Sequence, residues 1–131
     1  MFFFFRIFDF VETEKDSLLR CYPDLAGDLA KAGKLSPVSM KEQECAGLLS
    51  LTEEKAQLIS TLNSEYRTKF QFPFILCARE SKVNTIISGM KSRRQNSKDV
   101  EREKGIDEVK KIAWYRIVDL IPESKCLLAK I

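Results

Sequence analysis

Apolar residues in this chain recur at three- and four-residue spacings, and strand-like alternation is scarce. That spacing is the signature of helices, which bring positions i, i+3, i+4 and i+7 onto one face. Caps and prolines divide the pattern into six helices, so the chain reads as an all-α, single-domain helical bundle. The first helix spans 7–20 and ends before Cys21-Tyr22-Pro23. The second spans 23–32, with Pro23 and Asp24 in its first turn and Gly33 closing it. Proline at a first helical position loses no hydrogen bond, because its N–H would have had no partner. Ser36 caps a third helix, with Pro37 next, running to about residue 51. Thr52 caps a fourth, whose first turn carries Glu53 and Glu54, where the helix dipole favours acids. Ser81 caps a fifth through Met90, 91–97 is a polar loop, and a last helix spans 98–120. The segment 70–78 is ambiguous, and Phe72-Pro73 argues for an irregular or extended start. The expected organisation is a helical domain over 1–121 and a flexible tail over 122–131.

A domain of 131 residues buries about two-thirds of its unfolded surface, enough for one core. The net charge of +3 is too mild to argue for nucleic acid, so no nucleic-acid partner is expected. There is no histidine, and Cys21, Cys45, Cys77 and Cys126 form no C-x-x-C pair. A zinc site therefore lacks its usual ligands, and the expectation is no metal. The cysteines read as reduced, semi-buried thiols. Without histidine, acid–base chemistry near neutral pH must use a carboxylate, Lys, Tyr or Cys with a shifted pKa. The opening MFFFFRIF is short and interrupted by Arg6 and Asp9, which argues against a signal peptide. No stretch approaches the roughly 20 apolar residues of a membrane span, so no membrane partner is expected.

Two charged residues interrupt apolar stripes. Ser39, Glu42, Ala46 and Leu49 share one face of the third helix, and Val109, Ile112, Ala113, Arg116 and Leu120 share one face of the last. Buried Glu and Arg are uncommon unless paired. Opposite signs on two inward faces suggest a cleft with an ion pair, the alternative being a purely structural salt bridge. Lys91, Arg93, Arg94 and Lys98 form a basic run followed at once by Asp99, Glu101 and Glu103, which reads as a solvated loop.

The order of PDLAG (23–27), LSPVSMKEQECAGL (35–48), LNSEYRTKFQFPFI (62–75) and EVKKIAWYRI (108–117) resembles the 2-oxo-4-hydroxy-4-carboxy-5-ureidoimidazoline (OHCU) decarboxylases over roughly 7–121. These enzymes catalyse the last step from urate to (S)-allantoin. The resemblance implies an all-helical fold, a homodimer, no cofactor and a ureidoimidazoline carboxylate as substrate. It matches Ser39, Glu42 and Gln43 to an S-x-x-E-Q motif and Arg116 to the active-site arginine. Phe74, Ile75, Leu76, Cys77 and Ala78 match the segment whose backbone lines the pocket, and Pro23 belongs to the same substrate-binding set. Glu42 is the expected catalytic carboxylate.

Two departures accompany the resemblance. Where the family keeps its proton-transfer histidine, immediately before Pro-Asp-Leu-Ala-Gly, this chain has Tyr22. A phenol, with a pKa of about 10, is a poor base near neutrality. Impaired or absent activity is expected, the alternative being an inactive paralogue or truncated gene product that acts as a binding or dimerisation module. Family members also begin with further upstream helices, so the Phe-rich start is expected to leave a surface uncovered. The terminal Ala129-Lys130-Ile131 resembles a relaxed peroxisomal address, and the expected location is the peroxisome, otherwise the cytoplasm.

Overall fold

The computed structural model describes residues 11–121. The first positions of the expected opening helix, the expected tail and its terminal tripeptide lie outside the described residues. Among the described residues there are six α-helices and no strand: α1 Glu12–Leu19, α2 Asp28–Lys31, α3 Pro37–Cys45, α4 Glu53–Phe70, α5 Val83–Arg93 and α6 Lys98–Asp119. A 3-10 turn, Ala78–Glu80, precedes α5.

Three helices begin at hydroxyl caps. Ser36 Oγ accepts from the Ser39 N–H at 3.2 Å, Thr52 Oγ1 from Lys55 at 3.3 Å and Ser97 Oγ from Val100 at 3.3 Å. Each bond satisfies an N–H that has no partner inside the helix. Other boundaries differ from the sequence reading. Pro23 and Asp24 do not start a helix: they lie in a turn, and α2 begins at Asp28. The cause is long-range. Ala26 sits at φ 51, outside any right-handed helix, and Gln43 Oε1 accepts its N–H at 2.8 Å. The third helix stops at Cys45, short of residue 51, because Gly47 takes a left-handed φ of 86. The N-cap of α5 is Lys82, not Ser81, and this helix continues past Met90 to Arg93, so the polar loop shrinks.

The ambiguous segment after α4 is irregular up to the 3-10 turn, with extended backbone at Cys77. Gln71, in the left-handed region at φ 64, ends α4. Phe70, Phe72 and Phe74 are all essentially buried, at 0–1% exposure. Phe70 lies one helical turn after Tyr66, and Phe72 and Phe74 follow beyond Gln71 to meet the same ring. The Tyr66 ring lies 4.5 Å from Phe70 and meets Phe74 edge-on at 5.3 Å. Burying each of these rings contributes about 1.5–3 kcal/mol.

The spine is α6, 22 residues long, or about 33 Å at 1.5 Å per residue. It packs against α1 and α4, while α4 also packs against α5. At the α1 crossing, a side chain on Gly105 would lie 3.0 Å from Leu19 Cδ2, so glycine permits the close approach. Arg102 holds the same crossing by donating to Asp16 at 2.6 Å.

The basic run is not a solvated loop throughout. Arg93 turns inward: Nε donates to Glu101 Oε1 at 2.8 Å, and its guanidinium lies 4.4 Å from the Phe74 ring centroid. Glu101, fully buried, also accepts from the Tyr66 hydroxyl at 2.6 Å and from Asn96 Nδ2 at 2.8 Å. Cys21 and Cys45 are exposed free thiols rather than semi-buried ones, and Cys77 is buried. Replacing Glu101 by Ala leaves three donors without their acceptor. Glu101→Ala should therefore lower the unfolding free energy by about 3–5 kcal/mol in a urea titration. A loss below about 1 kcal/mol would show that the network contributes nothing specific.

Candidate functional site

Glu42 and Arg116 meet. Arg116 Nη2 donates to Glu42 Oε1 at 2.8 Å and Nε to Oε2 at 3.1 Å, a two-point pairing in which each partner fixes the plane of the other. Arg116 Nη2 also donates to Ser39 Oγ at 3.2 Å. The pair is partly buried, with side-chain exposures of 34% for Arg116 and 17% for Glu42. The hydrogen bond to Glu42 pushes the Arg116 pKa up, so this guanidinium is a permanent cation.

Tyr22 stands beside this pair on the 21–27 turn, half-buried. Two helices fix that turn. Gln43 on α3 accepts from Ala26, while Asn63 on α4 donates to the Leu25 carbonyl at 2.9 Å and Arg67 pairs with Asp24 at 2.7 Å. Gly27 is required because a side chain there would come within 2.7 Å of Asp24 Cβ. Burial raises the Tyr22 pKa, and the opposing pull of Arg116 is the smaller effect. The phenol is thus neutral at physiological pH. It can donate a proton and is not a base.

The third wall is the segment that leads into the 3-10 turn. Glu108 Oε1 accepts from the Cys77 N–H at 3.1 Å, and Arg93 Nη1 donates to the Ile75 carbonyl at 2.8 Å. Arg79 forks onto Asp119 at 2.7 and 2.9 Å, and the Tyr115 hydroxyl donates to Glu80 at 2.7 Å. Burial raises the Cys77 thiol pKa, so no thiolate nucleophile forms at neutral pH. Among the described residues no three His, Cys, Asp or Glu side chains group as metal ligands.

All the candidates line one cavity: Tyr22, Pro23, Ser39, Glu42, Gln43, Phe74, Ile75, Leu76, Cys77, Ala78 and Arg116, with Leu25, Arg79 and Ile112 completing it. Its free volume is about 40 Å³, room for a few waters at roughly 10–15 Å³ each. Tyr22, Pro23, Ser39 and Arg116 also line a wider open groove of about 760 Å³. The Tyr22 ring therefore belongs to the wall shared by a nearly filled site and an open approach. Sequence reasoning missed Glu108, Arg93, Arg79 and Asn63. Glu108, Lys111, Tyr115 and Asp119 share one α6 face at helical spacing, which is the signal that was available, but a polar stripe reads as solvated.

A family model described as OHCU decarboxylase matches residues 6–118. The 2-oxo-4-hydroxy-4-carboxy-5-ureidoimidazoline decarboxylase of Xenopus laevis is 44% identical over 124 residues, covering 92% of this chain and 71% of that protein. The Amia calva protein of the same name is 39% identical, covering 82% of this chain and 61% of its own length. This chain thus spans part of its relatives' length. A crystal structure of an OHCU decarboxylase in the presence of (S)-allantoin has the same fold, with a TM-score of 0.69 at 24% identity over 86% of this chain and 70% of the other.

The pKa values of all three tyrosines are raised: burial dominates for Tyr22 and Tyr66, and the hydrogen bond to Glu80 for Tyr115. The folded chain then holds phenol protons that the unfolded chain releases at about pH 10. This contribution to stability is complete below that pH and is lost as pH rises above it. Absorbance at 295 nm should show the folded chain ionising at higher pH than the chain in urea. One tyrosinate appearing below pH 9 in the folded chain would contradict the assignment.

Proposed function

Because the chain belongs to the OHCU decarboxylase family of urate degradation, we propose that its cavity is a decarboxylation site for the ureidoimidazoline carboxylate, with turnover impaired at the proton-transfer step. The observation that carries this reading is the Glu42–Arg116–Ser39 group facing the same cavity as the Tyr22 phenol. The substrate is an anion. When its carbon–carbon bond to the carboxylate breaks, the electron pair stays on the ring as an enolate-like species and carbon dioxide leaves. The Arg116 cation can stabilise that charge, together with backbone N–H groups of 74–78 other than that of Cys77, which Glu108 takes. A proton must then reach the ring carbon from one face to give (S)-allantoin. Glu42 holds the guanidinium in plane, and Tyr22 can supply a proton but cannot serve as a base near neutrality.

The cavity's small free volume favours a second reading, a family member that has kept the fold without turnover and acts by binding or dimerisation. The homodimer belongs to the same proposal, supported by the resemblance, and sedimentation equilibrium tests it. The peroxisomal address is likewise proposed, on the Ala129-Lys130-Ile131 tripeptide.

The deciding assay is the appearance of optically active allantoin from freshly generated substrate. Tyr22→His should raise the rate by at most about 10²–10⁴, and Glu42→Ala or Arg116→Ala in that background should abolish the gain. A natural chain as fast as an ordinary family member would make the phenol a competent catalyst. A folded but inactive Tyr22→His chain would favour the second reading.

A further inference from the structure

The segment matched by resemblance ends at Ala78, and the next residue, Arg79, lines the same cavity. The cavity therefore has a second guanidinium besides Arg116. Asp119 holds it by a fork, from Nη1 at 2.7 Å and from Nη2 at 2.9 Å, and Nη1 also donates to the Tyr115 carbonyl at 3.3 Å. The guanidinium lies over the Tyr115 ring, 5.1 Å from its centroid. Neither Asp119 nor Tyr115 lines the cavity, so Arg79 is tethered from outside it. An arginine has five N–H donors. The tether uses Nη1 and one side of Nη2. The Nε–H and the second Nη2 proton, which share one edge, have no partner among the described residues. Such an edge fits the two oxygens of a carboxylate. The side chain is 37% exposed, so an anion can reach it from solvent.

The two arginines differ in their relation to the phenol. Besides its burial, the Tyr22 phenol is influenced by Arg116, Glu42 and Cys21. Arg79 is influenced first by Asp119 and also by Glu42, and it does not act on Tyr22. Arg116 is therefore the cation nearer the phenol. Decarboxylation asks different things of the two positions. The enolate-like charge develops on the ring, where the proton must also arrive, and this suits the cation beside the phenol. The carboxylate loses its charge as carbon dioxide forms, so a cation on it stabilises bound substrate more than transition state. We propose that Arg79 is a substrate-binding residue that takes the carboxylate of the ureidoimidazoline and makes the site prefer the acid over the neutral product. This rests on reading the cavity as a decarboxylation site.

The test compares ring ureides with and without a carboxylate by titration calorimetry: hydantoin-5-acetate, a stable acid, against (S)-allantoin, which has none. In the natural and the Tyr22→His chains, Arg79→Gln should weaken hydantoin-5-acetate binding about tenfold and leave (S)-allantoin within about threefold. Asp119→Asn removes the tether but not the cation, so it should bind hydantoin-5-acetate no more weakly than its parent. In decarboxylation by the Tyr22→His chain, Arg79→Gln should raise KM about tenfold without lowering kcat. A pair that only pins the 3-10 turn would cost equally in Arg79→Gln and Asp119→Asn, for both ligands, and that result overturns the inference. So does hydantoin-5-acetate binding that ignores Arg79→Gln but is lost in Arg116→Ala, a result that leaves the reading of the cavity intact. No binding of either ligand and no turnover, in either chain, overturns both. If Arg79→Gln does not fold, the Arg79 Nε–H resonance of the ¹⁵N-labelled natural chain decides. It should shift with hydantoin-5-acetate and stay still with (S)-allantoin, and a resonance still with both overturns the inference.

Discussion

The contact between Glu42 and Arg116 organises this molecule around its cavity. It is the point at which α3 reaches the spine helix, and it pairs opposite charges in a partly buried place between them. Two-point geometry holds the guanidinium in one plane, and Ser39 one turn earlier on α3 accepts a second bond from Nη2. A lone arginine here would face desolvation without compensation. The paired one keeps its charge and its orientation. The surrounding elements then serve to bring Tyr22 and the segment before the 3-10 turn to the same cavity.

Each of those elements is held from a distance. The turn with Tyr22 has little helical character of its own, and its shape comes from Gln43, Asn63 and Arg67 on α3 and α4. Below the segment before the 3-10 turn lies the aromatic cluster of Tyr66, Phe70, Phe72 and Phe74. Glu108 on α6 and Arg93 on α5 hold that segment, while Tyr115 and Asp119 on α6 hold the 3-10 turn that follows it. The helix α6 thus works on two faces, one presenting Arg116 to the cavity and one gripping the backbone that forms its wall.

This division explains what could be read in the sequence. Glu42 and Arg116 stood out because a charge on an apolar stripe breaks a pattern. Ser36 and Thr52 were legible as caps because capping is decided within four residues. The Pro23 boundary was misread because a local rule, proline at a first helical position, fits a turn as well as a helix. The deciding contacts come from Gln43 and Asn63, far along the chain. Arg93 looked solvated because its carboxylate partner is eight residues away and its other contacts are Phe74 and Ile75. Glu108 was passed over because a polar stripe carries no mark of burial. The likeness to the family supplied what periodicity could not, namely the proposed chemistry and the reason for singling out position 22.

The proposed function rests on one claim, that position 22 is the proton-transfer position and that a neutral phenol there cannot act as a base near neutrality. The pH dependence of decarboxylation tests it most directly. The account predicts a low rate for the natural chain with no inflection between pH 5 and 8, and for Tyr22→His a rate that rises through the ordinary imidazole range, about 6–7. An inflection near neutrality in the natural chain, which contains no histidine, would place the acid–base group elsewhere and contradict the account.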